Sequence, residues 1–384
     1  MTQLERCRRD IDALDEELVA LFLRRMEITE RVGAYKREHG LPVLDSERER
    51  QVILEKSTLA ADPARRADIA KLYSMIMAIS RAQQRTLVRE GSGTEGFEAY
   101  LAARAACRSP LLQPRVAYQG EPGAYSEQAT VNFFGESVQC TGLPWFEDVF
   151  LALSSGAADY AMLPIENSST GSIRQVYDLL AQYNYFIVGE QIVKVEHCLM
   201  ALPGVSLEEV ETVYSHEQGL MQCERFLNAH PGWKRIPTLD TAGSARQVAE
   251  TGDRKAAAIC SRRAAQLYGL NILAEGVNYN GQNHTRFVVV SPRMELREGR
   301  NKIAAALRLP HQSGSLHEIL TIFAVQGMNL LKLESRPIPE KNWEYLFFLE
   351  FSGDLYAPGM DDALRELSQL AVEFRVMGNF GVAQ

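Results

Sequence analysis

The stretch LERCRRDIDALDEELVALFLRRMEITERVGAYK, residues 4–36, decides the fold of the first quarter of the chain. Apolar side chains recur at Ile11, Leu14, Leu18, Leu21, Ile28 and Val32, in the steps of three and four that define one helical face. The spacing predicts one helix from about Leu4 to Glu38, ~50 Å long at the helical rise per residue. The seam carries charge where it should be buried. Its missing step, between Leu21 and Ile28, is Arg25; one step back lies Arg8 and one step on lies Lys36. A single arginine can snorkel or pair with a carboxylate across an interface. Three cations on one seam, each costly if buried without a partner, point instead to an anionic ligand.

Outward from this helix the pattern continues. Only Gly33 and Gly40, and only Pro42 and Pro63, precede residue 91, so the segment can be helical almost throughout. A second helix is predicted over Asp45–Thr58 and a third over Pro63–Arg89, with Asp45 and Asp62 as N-caps and Pro63 at a first helical position. On the third helix the apolar row Ile69, Leu72, Ile76 runs into Ser80 and Gln84 at successive four-residue steps. Arg48 adds a fourth cation, and Asp45 and Glu49 stand one turn apart, an arrangement suited to a dicarboxylate that also bears a hydroxyl. The two shorter helices cannot cover the long one, so a second copy of the chain is the expected cover, in an intertwined helical dimer.

The formal net charge is −8, which argues against a nucleic-acid or anionic-membrane binder. Residues 1–90 carry net +1 and the remainder −9, so the acidity belongs to the later part. No apolar run reaches the ~20 residues of a membrane helix, and the start, Met1–Arg6, lacks the apolar core of a secretory signal. Six scattered cysteines without a CxxC pair predict reduced thiols of a cytoplasmic protein, and seven histidines without metal spacing predict no metal site.

Residues 91–114 read as a linker with one short helix. Gly91, Gly93 and Gly96 spell G-x-G-x-x-G but follow a helical run instead of a strand, so the dinucleotide reading is rejected. From Arg115 strands alternate with helices, the strands expected at Val116–Tyr118, Tyr160–Leu163, Phe186–Val188, Thr212–Tyr214, Ala256–Cys260 and Phe287–Val290. That alternation predicts a two-lobed α/β fold with largely parallel sheet and a cleft. After Arg300 a βαββαβ succession predicts a ferredoxin-like module.

Leu4-x-x-x-Arg8-x-x-Ile11-Asp12-x-Leu14-Asp15, Arg25, Val32-Gly33-x-x-Lys36, Asp45-x-x-Arg48-Glu49 and Ser80-x-x-x-Gln84 together resemble the all-helical chorismate mutase domain, over residues 1–90. The resemblance implies that Arg8 from the partner chain, with Arg25, Lys36, Asp45, Arg48, Glu49, Ser80 and Gln84, binds chorismate, and that Lys36 and Gln84 donate to its ether oxygen. Gly120–Ser126, Pro164–Ser168, Tyr214–His216 with Gln218 and Gln222, and Asn283-His284-Thr285-Arg286-Phe287 resemble prephenate dehydratase over residues 115–292, a periplasmic-binding-protein-like fold. This implies a catalytic Thr285 and a prephenate site drawn from Asn167, Ser215, Gln218, Gln222, Thr241 and Arg286. For Arg286 a structural ion pair with Glu166 or another acid is an equal alternative, and His197 and His216 are read as core histidines. Residues 303–384 resemble an ACT domain, whose effector motifs would be Gly314-Ser315-Leu316, followed by His317 where the family has an apolar residue, and Glu334-Ser335-Arg336-Pro337.

Three modules in this order resemble the bifunctional chorismate mutase/prephenate dehydratases of phenylalanine biosynthesis, an isomerase and a carbon–oxygen lyase in one chain under allosteric feedback by phenylalanine. The resemblance implies no cofactor and a homodimer or higher homo-oligomer. The alternatives are a dehydratase acting mainly on arogenate, and a non-enzymatic amino-acid sensor.

Overall fold

Local chemistry at Thr2 starts the first helix. The Thr2 hydroxyl accepts from the Glu5 amide at 3.2 Å while the Glu5 carboxylate accepts from the Thr2 amide at 2.7 Å, a capping box that opens α1 (Gln3–Glu38). Asp45 caps α2 (Ser46–Ser57) by accepting from the Arg48 amide at 2.9 Å. Pro63 opens α3 (Pro63–Val88), with Asp62 accepting from the Ala64 amide. These are the helices expected from the sequence, each within two residues at the ends that can be compared. The computed structural model describes residues 2–88, 95–312, 314–339, 341 and 343–382, so Arg89, Gly91 and Gly93 lie outside the described residues.

Contacts divide the chain into two bodies. The first comprises Met1–Glu98, Leu309–Gln326 and Asp361–Phe374. Here α3 lies against the C-terminal half of α1, where a Cβ on Gly33 would sit 3.0 Å from Leu87 and 3.3 Å from the Gln84 backbone. Glycine makes that approach without crowding either residue. The other half of α1 stays bare: Ile11, Leu14, Leu18 and Leu21 are all more than half exposed. A fourth helix, α4 (Glu95–Ala105), occupies the expected linker helix and buries Phe97 and Tyr100. Gly96 owes its identity to packing, because the Phe374 carbonyl oxygen stands 2.1 Å from where its Cβ would be.

The second body, Ala99–Arg308 with Gly327–Met360 and Arg375–Gln384, holds the α/β segment. Its elements run β1 (Arg115–Gln119), α5 (Tyr125–Phe134), β2 (Gln139–Leu143), α6 (Phe146–Ser154), β3 (Tyr160–Asn167), β4 (Gly171–Ser172), α7 (Arg174–Tyr183) and β5 (Phe186–Lys194). They continue β6 (His197–Ala201), β7 (Thr212–His216), α8 (Glu217–Gln222), α9 (Glu224–Asn228), β8 (Lys234–Thr238), α10 (Thr241–Thr251), β9 (Ala256–Ser261), α11 (Arg262–Tyr268), β10 (Asn271–Ala274) and β11 (His284–Ser291). Two sheets result, one ordered β2-β1-β3-β11-β5 with β4 paired to β3, the other β10-β6-β9-β7-β8, and they form the two lobes.

The sheets are mixed, which corrects the expectation of largely parallel pairing. β5 carries the chain out to the second lobe and β11 brings it back, so β11 runs antiparallel to both β3 and β5. In the second lobe β6 is antiparallel to β9 and β10, while β7 is parallel to β8 and β9. Helix α10 begins at Thr241 because Asp240 accepts from the Gly243 amide at 2.6 Å and caps it.

After β11 come β12 (Lys302–Arg308), α12 (Ser315–Val325), β13 (Leu330–Pro337), β14 (Tyr345–Ser352), α13 (Met360–Leu370) and β15 (Glu373–Phe380). The four strands form one sheet, ordered β13-β14-β12-β15. Ala304, Ala306, Phe348, Met377 and Phe380 share a core with Leu163, Ile165, Val176 and Leu180 of the first lobe. No helix among the described residues is long and apolar enough to cross a membrane.

Candidate active sites

The first site belongs to the helical body. A cavity of about 420 Å³ is lined by Arg25, Lys36, Asp45, Arg48, Glu49, Ser80 and Gln84, together with Lys56, Arg81 and the apolar Ile28, Val32, Val43, Val52 and Met77. Seven of the eight residues expected there are thus brought together. Arg8 is exposed on α1 and does not line the cavity. Five cations and two acids give the cavity a positive potential suited to a dianion. The Arg25 guanidinium is aimed by neutral groups, donating to the Ser80 hydroxyl at 2.5 Å and to the Met77 sulfur at 3.5 Å. Lys36 donates one ammonium proton to the Val43 carbonyl at 2.6 Å, which leaves two for other acceptors. Gln84 is buried, and its Oε1 has no hydrogen-bond partner among the described residues. Arg81 escaped sequence reasoning, since it stands beside Ser80 off the apolar row and carries no periodic signal.

The second site lies in the α/β body, a cleft of about 470 Å³ reached from both sheets. Asn167, Gln218, Gln222, Thr241 and Thr285 line it, as expected, with Tyr125, Ser126, Thr170, Ser172, His197 and His216. The Asn167 amide is oriented by the Ser169 and Thr170 backbone amides, which donate to its oxygen at 2.9 and 3.1 Å. Its nitrogen therefore faces Thr285, donating to the hydroxyl at 2.9 Å and to Asn283 Oδ1 at 2.8 Å. Asn283 in turn donates to Gln222 Oε1 at 3.1 Å. Among the described residues the Thr285 hydroxyl accepts this bond and donates none, so its proton is available to a ligand.

His197 is part of this network after all. Its Nε2 lies 3.1 Å from Gln222 Oε1 and its Nδ1 3.2 Å from the Tyr125 hydroxyl. Burial pushes its pKa from 6.5 down to about 4, so the ring is neutral at physiological pH. The sign of the linkage follows: the unfolded ring binds a proton below about pH 6.5 and the folded ring only below about 4. Stability is therefore lost as pH falls through that window, by about 3 kcal/mol. His197→Gln should flatten the fall in urea midpoint between pH 7 and 4; an unaltered slope would remove His197 as its cause.

Two expected ligands are elsewhere. Ser215 is fully buried, donates to the Ile259 carbonyl at 2.7 Å and sits beneath Gly219, outside the cleft. Arg286 follows Thr285 on β11, so strand alternation turns it to the opposite face. There it donates to Glu190 at 2.8 Å and to both oxygens of Glu350 at 2.6 and 2.9 Å, with Glu166 at 3.3 Å. Lys302 and Lys332 complete the cluster. Burial works against the charge of Arg286, but the bonds to Glu350 and the field of Glu190 outweigh it and raise its pKa. Arg286 is structural, joining the first-lobe sheet to β14. Arg286→Ala should cost about 3–5 kcal/mol by stranding buried carboxylates, read as a lowered denaturation midpoint. A loss below 1 kcal/mol would refute the structural role.

The expected effector residues divide between the bodies. Gly314, with φ +91°, precedes α12 in the first body, followed by Ser315 and Leu316. In the second, Glu334 accepts from the Ser172 hydroxyl at 2.7 Å and Arg336 pairs with Asp178 on α7 at 2.7 and 2.8 Å. Ser335 and Pro337 alternate with them and are exposed. No group of three or more potential metal ligands occurs among the described residues.

Comparison with known proteins agrees with two separate sites. Residues 7–85 match the family of chorismate mutase type II and residues 116–295 that of prephenate dehydratase. The bifunctional chorismate mutase/prephenate dehydratase of Enterobacter agglomerans is 33% identical over 377 residues, covering 96% of this chain and 93% of that protein. The one from Escherichia coli (strain K12) is 33% identical over 385 residues, covering 97% and 94%. The solved prephenate dehydratase of Arthrobacter aurescens in complex with L-Phe is 30% identical with a TM-score of 0.64, covering 70% of this chain and 89% of that one. With relatives aligned over nearly its whole length and both family matches falling on the two cavities, the chain belongs to the bifunctional chorismate mutase/prephenate dehydratases.

Proposed function

We propose that the two cavities perform the two reactions in succession. Residues 1–90 rearrange chorismate to prephenate. Residues 115–292 convert prephenate to phenylpyruvate, water and carbon dioxide, with 91–114 as the connection.

The first reaction is pericyclic: one C–O bond breaks as a C–C bond forms, and no nucleophile or proton transfer is required. The helical cavity supplies what such a reaction can use. Cations clamp two carboxylates and hold the compact conformer, while Lys36 and Gln84 donate toward the ether oxygen as charge builds on it. Glu49 and Asp45 can accept from the ring hydroxyl. Arg8 would enter from a second copy, whose α1 would also cover the bare Ile11–Leu21 stripe.

In the second reaction the ring C–carboxylate bond breaks, its electrons enter the ring, and the ring hydroxyl departs as water after gaining a proton. Aromatisation drives it, so the protein mainly anchors the anion and donates to the leaving oxygen. The observation that carries this reading is the Thr285 hydroxyl, whose lone pair is engaged by Asn167 while its proton has no partner among the described residues. An accepted hydrogen bond makes the hydroxyl's placement fixed; the donated one is left for substrate.

Residues 303–384 would form a phenylalanine-responsive ACT module. Its βαββαβ succession and sheet order β13-β14-β12-β15 support a ferredoxin-like reading. Changing Ser335, which is exposed on β13, should weaken inhibition of phenylpyruvate formation by added phenylalanine; unchanged inhibition would place the effector elsewhere.

The deciding experiment supplies purified protein with chorismate, prephenate or arogenate separately. Prephenate from chorismate, and phenylpyruvate from prephenate, are expected. Phenylalanine formed faster from arogenate than phenylpyruvate from prephenate would change the second substrate. No turnover of any of the three would leave a binding protein.

A further inference from the structure

Arg81, which lines the helical cavity, pairs with two acids. Its fork is divided: Nη1 pairs with Glu49, a wall of the mutase cavity, and Nη2 pairs with Glu318 on α12 at 2.6 Å. Arg81 and Glu318 are both mostly buried, with 12% and 15% of their side chains exposed. Within the same body a second cavity, of about 560 Å³, has Glu49 and Arg81 on one side and Gly314, Ser315, His317 and Glu318 on the other. The Glu49–Arg81–Glu318 row is therefore the partition between the two cavities.

We infer that Arg81 is a positioning residue of the mutase site, and that Glu318 on α12 sets its geometry. The inference rests on reading the helical cavity as the chorismate site. A carboxylate facing a dianion repels it unless its charge is balanced. Arg81 balances Glu49, so Glu49 presents oxygen lone pairs to a hydroxyl without driving off the two substrate carboxylates. Because the guanidinium is planar and its donors fixed in a fork, anchoring Nη2 on Glu318 fixes where Nη1 points. Chorismate binding thereby becomes dependent on a helix whose sequence lies more than two hundred residues beyond the mutase segment.

The test is steady-state mutase kinetics on the full chain carrying Arg81→Gln, Arg81→Lys, Glu318→Gln or the double change Arg81→Gln/Glu318→Gln, with prephenate dehydration by the same preparations as the check on folding. Arg81→Gln should raise KM for chorismate about ten-fold while kcat falls less than about three-fold, the pattern of lost binding instead of lost chemistry. Arg81→Lys keeps the charge without the fork and should recover part of the KM. Glu318→Gln should raise KM about three-fold in the native background and change nothing further in Arg81→Gln, since the two act as one unit. A KM within two-fold of native in Arg81→Gln, or a Glu318→Gln effect equal in both backgrounds, overturns the inference. Should Arg81→Gln not fold, Arg81→Lys and Glu318→Gln decide alone: KM within two-fold of native in both also overturns it. A native protein that does not turn over chorismate refutes the mutase reading itself, a result none of the variants can mimic.

Discussion

Arg25→Ala should lower kcat/KM for chorismate by ~10²–10³-fold, the loss that follows when a substrate carboxylate is left in the cavity without its paired guanidinium. Two further measurements separate a ligand-binding arginine from a structural one. Arg25 donates to Ser80 and Met77, with no carboxylate paired to it among the described residues. Its partly buried charge is thus uncompensated until substrate arrives, and removing it should leave the thermal midpoint unchanged or raised. Dehydration of supplied prephenate should stay within two-fold of native, because the second cavity shares no residue with the first. Arg25→Lys should not restore the rate, since a point charge cannot span two oxygens as the guanidinium does. A clear drop in stability with mutase activity retained would make Arg25 a structural residue.

Thr285→Ala should lower phenylpyruvate formation by ~10²–10⁴-fold, the range for a positioned proton donor. Chorismate supplied to this variant should then accumulate as prephenate, because the mutase cavity is untouched. Thr285→Ser keeps the hydroxyl within reach of Asn167 and should retain most of the rate, whereas Thr285→Val keeps the shape and should not. Undiminished phenylpyruvate formation in the alanine variant would remove Thr285 from its role.

The helical quarter was legible because its determinants are local. Asp45, Asp62 and Pro63 mark helix ends within a residue or two, and Arg25, Lys36, Ser80 and Gln84 betray the cavity by occupying steps of an apolar row. The α/β part was legible in outline only. Strands such as β6, five buried residues reading HCLMA, have no alternation to set them apart from a buried helical segment. The mixed pairing depends on where the chain leaves one lobe and re-enters it, information no local window contains. Site residues failed where a side chain's facing was decided by tertiary placement: Arg286 and Ser215 have the right chemistry beside the right motif, and both point away from the cleft. Arg81 failed for the opposite reason, having no motif and three elements meeting on it. His197 failed because a buried neutral histidine leaves the same mark in a sequence whether or not a ligand lies beyond it.

Strand β11 is read in a frame of two, like any strand, but both of its frames carry a message. At 285 and 286 it pairs in regular register with Asn167 and Glu166 on one side and with Val193 and Ile192 on the other. A slip of one residue there would deliver a guanidinium to the cleft and a hydroxyl to three carboxylates, losing donor and latch together. Substitutions at either position damage one face each. A one-residue insertion or deletion just ahead of Thr285 would erase both at once, which makes this strand intolerant of changes in length.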